Sequence, residues 1–173
     1  YYHRNCYIEG HTDMVCPRGW AFFDNVTFYN QKAYATLWHD GELDPAQKLV
    51  VVNSHFDGVP GFLLGRRHYD AQFYLINNSY SPNMADRPIF RHTYPQQPER
   101  DRANLWGDRY YFSQSVFSQG ANSAPRYLWL ADNLATHPAN LSAAQITAQW
   151  TFDGRWDPEA ELARLYQLLE QQP

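Results

Sequence analysis

Lys48–Tyr80 reads KLVVVNSHFDGVPGFLLGRRHYDAQFYLINNSY, and the interpretation of the fold turns on it. Leu49-Val50-Val51-Val52 is the densest apolar run in the chain. A half-exposed strand alternates with period 2, so four consecutive apolar and mostly β-branched side chains imply a strand buried on both faces. Gly58-Val59-Pro60-Gly61 then turns the chain. Phe62–Leu64 and Tyr69–Asn77 follow as further strand material.

Upstream, Asn5–Ile8 and Trp20–Phe23 are short apolar or aromatic runs. Val26–Tyr29, the polar corner Asn30-Gln31-Lys32 and Ala33–Trp38 have the look of two strands and a turn, which predicts a hairpin. Downstream, Ser81–Arg102 carries Pro82, Pro88, Pro95 and Pro98 among many charges and predicts a long irregular connection of the kind that carries function. Asp108–Phe117 alternates as a strand does, and Arg126–Leu130 is a last strand or the start of a helix. Ser142 with Gln145 forms a capping-box signature. Asp157-Pro158-Glu159 is a helix start, after which Leu162, Leu165, Tyr166 and Leu169 define one apolar face that packs on the core. No internal repeat is visible. The expected fold is mostly β, an antiparallel barrel or sandwich closed by one or two C-terminal helices. It forms a single domain over 1–173, with strands mainly in 1–130 and helix in 132–171. An α+β layered sheet is the alternative.

A formal net charge of -4 and the lack of any basic cluster beyond Arg66-Arg67 argue against a nucleic-acid or anionic-membrane partner. No apolar run reaches the roughly 18 residues needed to span a bilayer. Cys6 and Cys16 are the only cysteines, and their spacing suits a disulfide across a short loop better than a zinc site. Three Asn-Xaa-Ser/Thr triplets begin at Asn25, Asn77 and Asn140. With the expected disulfide they point to a secreted or extracytoplasmic protein.

The pattern His-Xaa-Asp occurs at His11/Asp13, His55/Asp57 and His68/Asp70, where composition alone predicts roughly half an occurrence. On a strand such residues share a face about 6.6 Å apart, within reach of one metal ion or of each other. His55, Asp57, His68 and Asp70 are therefore candidates for a divalent-metal site or an acid–base pair. Val50–Pro60 resembles the first zinc-ligand segment of the co-catalytic zinc aminopeptidases. The carboxylate segment that follows it in that family is replaced here by Phe62–Arg67, so no membership is drawn from it. The aromatic share of 17% exceeds what a small core can hide. Trp20, Trp38, Tyr74, Tyr110, Tyr111 and Trp129 are accordingly expected to line a cleft or face that stacks on sugars or encloses a small ligand. The function expected first is glycan or small-ligand binding by an extracytoplasmic β domain, with no cofactor. A metal-dependent or acid–base enzyme using the His-Xaa-Asp pairs is the alternative, a secreted toxin-type enzyme subunit a weaker one, and a partner protein is allowed for.

Overall fold

Every strand of Lys48–Tyr80 pairs with strands from earlier and later in the chain, and every pair is parallel. The computed structural model describes residues 1–41, 44–117 and 126–171. The chain winds in successive coils. The first contributes β1 (Tyr2–Arg4) and β2 (Tyr7–Gly10); the second β3 (Ala21–Asp24), β4 (Thr27–Asn30) and β5 (Ala35–Trp38). The third contributes β6 (Leu49–Val52), β7 (His55–Gly58) and β8 (Leu63–Arg67); the fourth β9 (Gln72–Ile76), β10 (Ser79–Tyr80) and β11 (Phe90–Arg91); the last β12 (Arg109–Ser113) and β13 (Val116–Phe117). Stacking the coils gives three sheets, ordered β1-β3-β6-β9-β12, β2-β4-β7-β10-β13 and β5-β8-β11. This is a parallel β-solenoid.

The antiparallel barrel or sandwich is therefore corrected, and so is the layered alternative. The predicted hairpin does not form: β4 and β5 lie in different sheets, and each pairs with the strand one coil further on. Alternation reports which face of a strand is buried, whatever the direction of its neighbour, so the sequence pattern serves either architecture. A repeat is present after all. Its step is uneven, 28 residues from Phe22 to its partner Val50, 24 from Val50 to Tyr74 and 37 from Tyr74 to Tyr111, and that unevenness hides it from a search at fixed period.

Two ladders hold the coils in register. At the corner between the first two sheets stand Asn5, Asn25, Asn53 and Asn77, with φ of 55°, 52°, 52° and 53°. Asn is the non-glycine residue best suited to that left-handed turn. Asn25 Nδ2 donates to Asn5 Oδ1, Asn53 Nδ2 to Asp24 Oδ1, and Asn77 Nδ2 to Asn53 Oδ1, each at 2.8 Å. The triplets at Asn25 and Asn77 thus serve as corners whose amides are engaged with neighbouring coils. Inside, Phe28, Phe56, Tyr80 and Phe117 stack in sequence at 4.7, 5.4 and 5.6 Å between centroids, and Tyr127 closes the column at 5.1 Å from Phe117.

The first sheet is buried on both faces, as the run at Leu49 requires. Leu49 and Val51 point into the coil interior with Phe73 and Leu75. Val50 and Val52, with Phe22, Tyr74 and Ile76, face outward under Leu134, Ile146, Ala148 and Phe152 of the C-terminal segment. That segment holds three-residue 3-10 turns, one of them at the predicted Ser142/Gln145 capping box, then α1 (Ala148–Thr151) and α2 (Pro158–Glu170). Asp157 caps α2, accepting from the amides of Glu159 and Ala160. The Leu face of α2 is a second correction: Leu165, Tyr166 and Leu169 are 49%, 59% and 61% exposed, because α1 and its flanks already cover the sheet. Lys48 fastens the segment, its ammonium 4.4 Å from the Trp20 ring and 4.9 Å from that of Trp150 and paired with Asp153 at 2.9 Å. Cys6 and Cys16 are unbonded. Cys6 turns the corner between β1 and β2, while Cys16 follows Val15, which bridges to Leu37 on the third sheet, so the path around the coil separates them. Among the described residues no helix is long and apolar enough to cross a membrane.

Candidate functional site

The third sheet is where the coils bring chemistry together. Trp38 ends β5, and Arg66 stands beside it in register on β8. The Arg66 guanidinium lies over the Trp38 ring at 4.0 Å and within 5.4 Å of the Tyr34 ring. It reaches across that intervening coil to Asp13, donating from Nε to Oδ1 at 2.8 Å and from Nη2 to Oδ2 at 2.5 Å. Both side chains of the pair are only 10% exposed. The fork fixes the carboxylate in plane and position, which a single contact would leave free to rotate. The hydrogen bonds to Asp13 raise the Arg66 pKa, against the opposite effect of burial, so the cation persists at all working pH. Asp13 has φ 52° and is not one of the corner residues of the asparagine ladder. Its left-handed backbone is thus a local feature that Asp tolerates better than most residues.

The Ser81–Arg102 connection folds over this region and builds the far wall. Arg18, Trp38, Asp40, His68, Tyr69, Tyr94 and the Glu99–Arg102 turn enclose a cleft of about 440 Å³. Asp40 Oδ1 accepts from Trp38 Nε1 at 2.7 Å and sets the indole plane. Arg100 lies 3.8 Å over the Tyr94 ring and Arg102 5.1 Å from that of Tyr69, so flat cationic and aromatic surfaces alternate along the wall. His68 packs against Tyr69, Tyr94 and His92. Burial, then the charge of Arg66 and the neighbouring His68, push the His92 pKa below its ordinary value and favour its neutral ring.

The two main His-Xaa-Asp pairs do not converge. His55 and Asp57 lie on the second sheet, where His55 Nδ1 is 2.8 Å from Ser79 Oγ. Burial pushes Asp57 up, but hydrogen bonds from Ser81 and the Gly58 amide and the nearby His55 outweigh it, leaving its pKa below the usual carboxylate range. His68 lines the cleft, whereas Asp70 turns away to accept from the amides of Leu105 and Trp106. Among the described residues no three His, Cys, Asp or Glu side chains are grouped to hold a metal ion.

Of the six aromatics expected to bind ligand, Trp38 lines this cleft. Trp20 lines a separate cavity of about 430 Å³ with Trp156 and Arg155. Tyr74 is buried under the C-terminal segment, with Tyr111 stacked on it at 4.9 Å. Tyr110 accepts from Arg67 Nε, and Trp129 donates to Asp86 at 2.9 Å. Arg66, Tyr94 and Asp101 were not among the expected site residues. The sole sequence signal for Arg66 is the arginine pair Arg66-Arg67 ending an otherwise apolar strand; for the other two it is the length and charge of their loop. Comparison with protein-family models, curated proteins and solved structures finds no match.

Proposed function

We propose that this chain binds an extended glycan in the cleft between the third sheet and the Ser81–Arg102 connection. The observation that carries the proposal is Trp38, its indole plane set by Asp40, in a cleft walled by further rings and guanidinium groups. Sugar rings present apolar CH faces to aromatic rings and hydroxyls to charged side chains, and this wall offers both. Binding a polymeric sugar fits an extracytoplasmic setting, which remains part of the proposal. Intrinsic tryptophan fluorescence titrated with hexose oligomers, neutral and carboxylated, is expected to saturate. Trp38→Ala should weaken binding by about tenfold at most, from a stacking contribution of about 0.5–1.5 kcal/mol. Absence of any change, confirmed by calorimetry, overturns it.

A further inference from the structure

The second cavity, of about 430 Å³, shares a wall residue with the cleft: Arg18 lines both. Arg18 bridges to Asp40, just beyond the end of β5, Gly19 turns the chain with φ 98°, and Trp20 leads into β3 of the first sheet. The C-terminal segment supplies Phe152, Arg155 and Trp156 to the same cavity. The Trp20 ring is already engaged by the protein, with the Lys48 ammonium at 4.4 Å and the Arg155 guanidinium at 5.1 Å from its centroid. Trp156 is 43% exposed, although Phe152 at 4.9 Å and Tyr2, edge-on at 6.3 Å, hold its ring in place. We propose that the glycan bound in the cleft continues past Arg18 and stacks a further sugar ring on Trp156.

An exposed indole that its neighbours already hold in place loses little rotamer freedom on binding and offers an apolar face to the CH groups of a sugar ring. Arg18 and Arg155 form no ion pair among the described residues, so no carboxylate there competes with a sugar hydroxyl for their N–H groups. The second cavity thus repeats the combination of ring and guanidinium that walls the cleft. A polymer can use both at once. With its first rings held in the cleft, the next is presented to Trp156 at high effective concentration, so a contact too weak to retain a monosaccharide still adds affinity. Trp156 is a binding residue here, and no chemical step is assigned to it.

The inference rests on glycan binding in the cleft, and oligomer length separates the two. Wild type, Trp38→Ala and Trp156→Ala are titrated with hexose oligomers of increasing length. Wild-type affinity should step up by about tenfold at most at the length that first reaches Trp156, the worth of one stacked ring. Trp156→Ala should lose that step and bind the shorter oligomers as wild type does. Trp38→Ala should instead weaken binding by a similar factor at every length. In spectra of ¹⁵N-labelled wild type, the indole N–H resonance of Trp156 should move with long oligomers and stay in place with short ones, a readout that needs no variant to fold. A Trp156 resonance unmoved by every oligomer, or a Trp156→Ala profile that matches wild type or falls equally at all lengths, would overturn the extension and leave the cleft. Failure of wild type to bind any oligomer would overturn both.

Discussion

His39 shows how much a single side chain inside the solenoid can govern. It is fully enclosed, with its ring edge-on to Phe73 at 5.6 Å and Nδ1 3.3 Å from the Pro17 carbonyl oxygen. Burial drives its pKa from 6.5 to about 4, opposed by the contact with Pro17 and reinforced by the charge of Arg109. The unfolded chain takes up this proton near pH 6.5, whereas the folded chain refuses it until about pH 4. The stability tied to the neutral ring is therefore complete above pH 6.5 and is lost as the pH falls from there to 4. A shift of that size corresponds to about 3 kcal/mol. Urea midpoints at pH 7 and pH 4.5 should differ strongly for wild type and much less for His39→Leu. Asp57 also has a lowered pKa, but its contribution is lost only below the ordinary carboxylate value of 3.8, outside that window. An equal drop in both proteins would show that other groups carry the acid sensitivity.

Among the elements, the corner ladder and α2 make opposite predictions. Asn53 holds φ 52°, donates to Asp24 and accepts from Asn77. Asn53→Ala should cost about 1.5–3 kcal/mol, combining a left-handed alanine with two lost hydrogen bonds. Asn53→Gly keeps the turn and should cost less than half as much, so the pair of melts divides backbone strain from side-chain bonding. If alanine and glycine are equally harmful, strain is not the cause. Leu165→Ala should move the urea midpoint hardly at all, by less than about 0.5 kcal/mol, because the side chain is half exposed and buries no cavity. The helix itself was legible, down to its Asp157 cap and Pro158 start. Its packing was not, because periodicity places leucines on one face without saying whether anything covers that face.

At the scale of the whole molecule, stability is the sum of coil-on-coil interfaces and of the segment that seals the first sheet. Lys48 links the two, 5% exposed between Trp20 and Trp150, with its ammonium also donating to the Thr151 carbonyl at 3.3 Å. Lys48→Met should cost about 2–4 kcal/mol through the loss of two desolvated cation–π contacts. Hydrogen exchange should locate that loss: amides in α1 become faster while those of β6 stay protected by the strands on either side. Uniform acceleration would mean that the segment and the solenoid open together.

The amino-acid sequence by itself determined the local states. Leu49–Val52 had to be a strand covered on both sides and Asp157-Pro158 had to begin a helix, because burial pattern and cap chemistry act over a few residues, whereas Ser81–Arg102, expected to be irregular, also carries β11 of the third sheet. Only the tertiary structure decided that the strands run parallel, that Cys6 and Cys16 stand apart, and that His55 and His68 belong to different sheets. Strand direction depends on which strand becomes the neighbour, and in a solenoid that neighbour is a full coil away along the chain. The Asp13–Arg66 pair has the same origin: 53 residues separate its members, and only the stacking of the coils brings them together beside Trp38.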